Sequence, residues 1–542
     1  MGHLELLIDG ACAHPTYLLV VLMIVPLVYK IFTYDRRLYH LPPGPKGYPI
    51  IGSVLDLADA DKVPAIAEGW ARDYGKICYT KIGGTRFIWL NTASAVKELM
   101  DKRGSKYSSR PHLPMAFDAV SGQARQFFMP YGERWRSIRK VSHAALNIKT
   151  SNSYRPIQDF ESKQVMYEFL NAPDNEAFYD INRRYSASVI MTVAYGHRVA
   201  TWDDPVVKKI YKVLDHFVLM AAPGAWIVDA FPSLTVLPSF LLQNWWKIGR
   251  EWFDYDSKVY LDLYRGLVED IKAGKAKDCF VKDFYLGNPE KNGIDELAAA
   301  YSAGTLVEAG SESTSTVINS WLLACLLYPH TMKAAQEELD RVIGNDRMPT
   351  FGDEENLPYI RAMAKETLRW RPITKFGVSH ASTEDDWYEG YFIPKRSVVV
   401  LNWWGIHFDP KRWEDPHSFE PMRYINDPYT TAEALNIANP DDRDHFTYGA
   451  GRRVCTGLHL AQNSLFINMA RTMWAFNVVK AKGPDGKTLE PSTATHPGFL
   501  AVPVKFPCAF EPRSKKHAEI VEQSWLQAQK EGLHWSRAKS TI

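Results

Sequence analysis

Paired cysteines are missing from this sequence. The six present, at 12, 78, 279, 325, 455 and 508, form no CxxC, and 46 to 201 residues separate successive ones. A disulfide framework or a structural zinc site would cluster them, so a reducing compartment with mostly inert thiols is expected. An excess of one charge is missing too. The 64 Lys plus Arg stand against 62 Asp plus Glu, a formal +2, which leaves no basic stripe for a nucleic-acid partner. No repeat and no low-complexity linker interrupts residues 53–510. What is abundant is apolar: 46% hydrophobic residues and 17 Trp imply a large packed interior.

Charge is also absent from Ala11 to Tyr29, "ACAHPTYLLVVLMIVPLVY". That length is close to the ~20 residues needed to span hydrocarbon, and no small-x-small cleavage site follows it. An uncleaved anchor is expected over 1–34, with the span at 11–31. Glu5 and Asp9 precede the segment and Lys30, Arg36 and Arg37 follow it, which places the body of the chain in the cytosol. A proline-rich hinge, residues 35–52 with "PPGP" at 42–45, would act as a stiff spacer. One large domain is expected over 53–513, and a charged helical tail, with no assigned function, over 514–542.

The fold class expected is mainly α with minor β. Helical periodicity covers 64–73, 93–102, 134–146, 159–170 and 180–194, whereas "VVVLN" (398–402) and "VPVKF" (502–506) read as strands. Three further segments carry chemistry. Asp295 to Tyr328 is a long helix stopped by Pro329, whose middle concentrates poor helix formers: Gly304, Gly310 and the run Ser311 to Thr316. Hydroxyls there can bond back to carbonyls and bend the axis. The alternatives are a buried polar spot or a solvated stripe. In "YIRAMAKETLRWRP" (359–372), Glu366 and Arg369 share a helix face; a plain surface ion pair is the commoner meaning of such spacing.

The third segment is "DHFTYGAGRRVCTGLHLAQ", 444–462, in which Cys455 lies near a helix start beside Arg452 and Arg453. Both features favour thiolate over thiol. A dinucleotide loop would need Gly where Val454 stands, and a phosphate-binding Walker loop needs Gly-Lys-Ser/Thr. His445 and His459 lie in no recognisable catalytic motif that would make the cysteine a nucleophile. A lone cysteine without neighbouring Cys or His ligands suits the axial ligand of haem better than zinc or iron–sulfur.

"YGAGRRVCTG" resembles the cysteine loop F-x-x-G-x-R-x-C-x-G of the cytochrome P-450 superfamily, with Gly451, Arg453, Cys455 and Gly457 in place and Tyr448 where Phe is usual. "AGSES" (309–313) resembles A-G-x-D/E-T, Glu366 and Arg369 resemble E-x-x-R, and "FEPMRY" resembles the later P-x-R-F element with Arg423. Trp135 and Arg139 match W-x-x-x-R, and His380 a propionate-facing residue. The resemblance runs from the anchor to about Arg513, nearest in look to fungal microsomal members of secondary metabolism.

It implies a single-pass enzyme of the endoplasmic reticulum membrane that faces the cytosol. It would be a monooxygenase using haem b, O2 and a lipophilic substrate, fed from NADPH by a separate NADPH–cytochrome reductase. Cys455 would be the iron's axial ligand, tuned by the backbone of Gly449 and Gly451. Trp135, Arg139, His380 and Arg453 would hold the propionates, and Glu366, Arg369 and Arg423 a structural network. Ala309 and Gly310 would leave room for dioxygen, with Glu312 and the hydroxyl of Ser313 or Thr314 relaying protons. Residues 110–123, 220–240 and 495–500 would line the pocket. Arg134, Arg136 and Lys140, with the loop arginines, would either meet an acidic partner such as the reductase or form a plain solvated face. A haem-thiolate isomerase or dehydratase and a non-catalytic haem protein are the alternatives.

Overall fold

The computed structural model describes residues 35–537 apart from positions 50, 58, 60, 61, 223 and 497. The expected anchor therefore lies outside the described residues. Among those described, no helix is long and apolar enough to cross a membrane. Eleven described helices have twelve residues or more: α1 Val63–Tyr74, α2 Glu133–Leu146, α3 Arg155–Leu170, α4 Phe178–Tyr195, α5 Pro205–Ala221, α6 Trp245–Lys272, α7 Glu296–Leu327, α8 Pro329–Val342, α9 Pro358–Trp370, α10 Leu458–Ala475 and α11 Lys515–Glu531. Their starts follow the local sequence. Asp204 precedes Pro205 and accepts from the Val206 N–H at 2.8 Å; Asp295 accepts from Ala298 N–H at 2.7 Å.

Among the described residues, the minor β structure comprises β1 Ile77–Ile82, β2 Thr85–Leu90, β3 His380–Ala381, β4 Asp386–Tyr388, β5 Tyr391–Ile393, β6 Val398–Leu401, β7 Phe476–Lys480 and β8 Cys508–Pro512. They form a four-stranded sheet in the order β1-β2-β6-β3 and two hairpins, β4-β5 and β7-β8. Only β2 and β6 run parallel. The strand expected at 502–506 is displaced to β8. Pro503 and Pro507 remove ladder donors, so that stretch makes one isolated bridge, Thr495 to Pro503, before pairing begins at Cys508. The proline-rich residues are not a free spacer either: Pro43 accepts from the Tyr79 N–H at 2.9 Å, which lays the segment along β1.

The central helix α7 runs unbroken for 32 residues, about 48 Å at 1.5 Å per residue. It is buried on nearly every side, against α4, α6, α9 and α10, which excludes the solvated-stripe reading. Packing overrides the poor propensities of its middle. Back-bonding occurs at Ser302 and Ser320 rather than within the polar run, where only Ser315 reaches a carbonyl, that of Glu312 at 2.9 Å. Gly310 is explained by packing: a Cβ there would lie 2.7 Å from Ile190 of α4.

Glu366 and Arg369 of α9 have side chains with 0% exposure and pair through two 2.7 Å bonds. They are no surface pair. Arg423 reaches Glu366 at 3.4 Å, and the Glu420 N–H donates to it at 2.8 Å. Arg369 continues to the carbonyls of His407, Pro416 and Ser418. His407 Nε2 in turn accepts the Phe446 N–H at 2.8 Å, and the Thr447 hydroxyl donates to the Leu368 carbonyl at 2.6 Å. The network thus holds the base of the cysteine loop. Replacing Arg369 by Leu strips a buried carboxylate of its two shortest bonds, leaving Arg423 at 3.4 Å and the Glu420 N–H, and should cost about 3–5 kcal/mol, read as a lower thermal midpoint. Adding Glu366→Leu should recover part of the loss; a single variant as stable as the parent would contradict the assignment.

Candidate functional site

Cys455 is the last but one residue before Gly457, the cap of α10, and its N–H donates to the Tyr448 carbonyl at 2.8 Å. That bond folds the loop around Gly449 and Gly451, both with positive φ, 78° and 63°. Gly451 is required twice over, because a Cβ there would sit 2.2 Å from the Met100 carbonyl oxygen. The Cys455 side chain lies deep in the protein yet is accessible, because it faces a cavity of about 930 Å³. Burial pushes its thiol pKa up; the Gly457 N–H and the charge of Arg139 oppose the shift without reversing it. The expectation that Arg452 and Arg453 favour the thiolate is therefore corrected. Arg452 points outward to the Tyr131 hydroxyl. Arg453 turns aside to the carbonyls of Ser108, Gln126 and Met129 and lies 4.2 Å over Trp135.

The cavity gathers most of the sequence-derived candidates. Trp135 and Arg139 of α2, His380 of β3, Ala309, Gly310, Glu312, Ser313 and Thr314 of α7, and Tyr448, Gly449, Arg453 and Cys455 all line it. Glu366, Arg369 and Arg423 do not; they stand behind the loop, as described above. On α7 the accessible positions 305, 309 and 313 form one row, with 310 and 314 beside it, the i, i+4 pattern of a single helix face.

Several partners were not legible in the sequence, although Arg110 itself falls in the 110–123 stretch expected to line the pocket. Arg110 lines the cavity and donates to the Phe127, Val378 and Ser379 carbonyls at 2.9–3.0 Å. Arg183 of α4 pairs with Glu312 at 2.8 Å. Arg125, fully buried, bridges Glu308 at 2.8 Å and Asp256 at 2.7 Å, and Asp256 meets His216 at 2.7 Å. This last network pins α5, α6 and α7 together. Residues 220–240 do not line the cavity as expected. They fold into short turns outside it, held by Asp229, which accepts from Met115 N–H at 2.8 Å, and by Phe231 packed against Gly83. The lining comes instead from Leu214, Asp215, Phe217, Val218 and Leu219 of α5. Of the 110–123 stretch only Arg110 lines it, with Gln126 and Phe127 following.

Arg110, Arg139 and Arg453 share a decisive property: none has a carboxylate partner among the described residues. Burial, then mutual repulsion, depresses the pKa of Arg110 and Arg453; burial alone depresses Arg139. A guanidinium nonetheless keeps its charge in proteins, so the site carries uncompensated buried cations, which are costly without a counter-ion. Burial, then the charges of Arg110 and Arg453, push the His380 pKa well down and favour its neutral form, with Nδ1 against the Tyr107 carbonyl at 3.0 Å. A planar group with two carboxylates and one metal position fits this donor set: guanidiniums for the acids, a single sulfur for the metal.

The Cytochrome P450 family model matches residues 42–506. The chain is a cytochrome P450. It is 55% identical to cytochrome P450 monooxygenase verL of Clonostachys rogersoniana, over 95% of each chain. It is 37% identical to cytochrome P450 monooxygenase virE of Hypocrea virens, over 93% of this chain and 91% of that one, and 37% identical to fogE of Aspergillus ruber, over 93% and 92%. As a P450 monooxygenase it is an oxidoreductase, and its cofactor is haem. Replacing Arg453 of this P450 by Leu should weaken haem retention about tenfold or more, the scale of a lost charge-assisted bond. The checking measurement is the difference in thermal midpoint between haem-loaded and haem-free protein; an unchanged difference would refute propionate binding there.

Proposed function

We propose that this P450 is a membrane-anchored fungal monooxygenase of secondary metabolism. It inserts one oxygen atom of O2 into a lipophilic small molecule, with electrons passed from NADPH by a separate NADPH–cytochrome reductase. The observation that carries this is the juxtaposition of Cys455, the unpaired arginines and the polar face of α7 around one cavity. Bound haem supplies the redox chemistry that activates dioxygen. The chain's residues do the rest. Cys455 Sγ would hold the metal as a thiolate, having given up its proton. Arg110, Arg139, Arg453 and His380 orient the group through its acids, and a bound carboxylate would raise the pKa of His380. Glu312, Ser313 and Thr314 move protons into the cavity. Glu312 is paired to Arg183, so delivery requires its carboxyl to turn from that guanidinium toward the Ser313 and Thr314 hydroxyls. Ser313 keeps the hydroxyl of the usual threonine but lacks the methyl that restricts its rotamers, which gives Thr314 a share in the relay.

Membrane attachment in the endoplasmic reticulum, with the body facing the cytosol, is supported by the uncharged residues 11–29 and by an apolar ridge. Val236, Phe240 and Leu241 are 85, 69 and 62% exposed, in the segment whose Phe231 packs on Gly83 of the β1–β2 turn. Exposed apolar side chains grouped in one segment suit an interaction surface. Reductase docking is supported by Arg134, Arg136 and Lys140, exposed on α2 opposite its buried Trp135 and Ile138; Arg452 adds to them at the loop. The intact acid and hydroxyl pair on α7 favours the oxygenase over an isomerase, dehydratase or haem carrier.

With reductase present, a lipophile that enters the cavity should stimulate NADPH consumption and yield oxygenated product. In the Ser313→Ala variant, NADPH consumption should continue while product per NADPH falls and hydrogen peroxide rises. Unchanged product per NADPH in both Ser313→Ala and Ser313→Ala/Thr314→Ala would remove the relay. No NADPH consumption above the reductase background with any lipophile would refute the oxygenase.

A further inference from the structure

Three phenylalanines from three separate segments meet in the cavity wall: Phe127 after the Arg110 loop, Phe217 of α5 and Phe499 of the 495–500 turn. Their ring centroids lie 5.3 Å (Phe127–Phe217), 5.6 Å (Phe127–Phe499) and 6.0 Å (Phe217–Phe499) apart, at 75–84°. Every pair is edge-to-face, the arrangement in which positive ring edges meet negative faces. Phe128, buried, stacks on Phe217 at 5.8 Å and 26° and stiffens the cluster. Arg110 fixes the backbone carbonyl of Phe127 at 3.0 Å. Elsewhere the wall mixes aliphatic Val189, Ile190, Leu214 and Leu500 with separate aromatic rings, Trp135, Tyr211, Trp403 and Tyr448. The three-ring cluster is set apart by its mutual edge-to-face contacts and is held rigid from two sides.

A second observation is independent of the rings. Thr305 lies on the cavity-facing row of α7, one turn before Ala309; its hydroxyl, like those of Ser311 and Thr316, is buried with no protein partner among the described residues, and it is turned off the open space, which a rotation about χ1 would let it meet. Helical Ser and Thr ordinarily bond back four residues, as Ser302 and Ser320 do here. An unsatisfied buried hydroxyl costs stability, and a ligand oxygen or nitrogen removes that cost. Ser186 of α4 lines the same cavity with its hydroxyl also unpartnered.

We infer that this enzyme selects a lipophile carrying both a planar aromatic ring, taken by Phe127, Phe217 and Phe499, and a hydrogen-bonding oxygen or nitrogen, taken by Thr305. The inference rests on the monooxygenase reading above and names its substrate class. A fourth ring continues the edge-to-face pattern, whereas a saturated ring of equal size gains only the burial term.

Three probes separate the contributions in haem-loaded protein, titrated by the change in the Soret band: 2-naphthol, decahydro-2-naphthol and naphthalene. The parent protein should bind 2-naphthol about 3- to 10-fold more tightly than decahydro-2-naphthol, the range of an aromatic pair beyond its area. Phe217→Leu or Phe499→Leu should abolish most of that preference. Thr305→Val should weaken 2-naphthol about fivefold, the scale of one neutral hydrogen bond, and leave naphthalene unchanged. Equal binding of the aromatic and saturated alcohols by the parent protein overturns the inference without needing any variant. Equal loss of both alcohols in the Leu variants, or an unchanged 2-naphthol affinity in Thr305→Val, also overturns it. If the reduced carbon monoxide complex shows a thiolate-ligated Soret band and the preference is absent, this inference alone fails. If that band is absent, the monooxygenase reading fails first.

Discussion

Uncompensated positive charge is the constraint around which this molecule is arranged. Arg110, Arg139 and Arg453 are brought to one cavity wall from three distant parts of the chain, and each is satisfied only by carbonyl oxygens. Ion pairs elsewhere in the interior are matched: Arg184 with Glu161 and Glu168, Arg125 with Glu308 and Asp256. Arg443 is also buried without an ion-pair partner among the described residues, on the His445 and Gly449 carbonyls, but three such arginines gather at the cavity that also holds Cys455. A thiol whose pKa burial raises and a set of cations that burial penalises are both relieved by one ligand, a dianion that carries a metal. Haem has that chemistry, and membership of the P450 family places it here.

The rest of the fold keeps this arrangement rigid. Glu366 and Arg369 hold the carbonyl of His407, and His407 holds the Phe446 N–H, so the position of the cysteine loop depends on a buried ion pair two hydrogen bonds away. On the other side, α7 is locked to α4 by a glycine contact at 310 and by Arg183 on Glu312, and to α5 and α6 through Arg125. Helix α11 adds a further clasp, with Trp525 against Phe160 of α3 at 5.4 Å. Beyond it, Arg537 reaches Asp283 at 2.8 Å.

Local chemistry was readable from the chain; long-range pairing was not. The spacing of Gly449, Gly451, Arg453, Cys455 and Gly457 is a loop motif contained in nine residues, and the i, i+3 relation of Glu366 and Arg369 follows from helix geometry. Burial of that pair was not visible, because spacing alone does not tell a core face from a wet one. Arg183 lies 129 residues from Glu312, and Arg125 lies 183 from Glu308; nothing local marks either arginine as paired. Residues 220–240 misled because an apolar, nearly uncharged stretch suits a pocket wall and an exposed ridge equally well. The strand expected at 502–506 failed on its prolines, a signal present in the sequence and outweighed there by the β-branched run.

Ligation of the metal by Cys455 is the claim on which the site's chemistry depends, and the reduced carbon monoxide complex tests it directly. Haem-loaded parent protein should give a strongly red-shifted Soret band, and Cys455→Ser should bind carbon monoxide without that shift while keeping the helical content of the parent. A folded parent protein that binds haem and carbon monoxide without the red-shifted band would contradict the assignment.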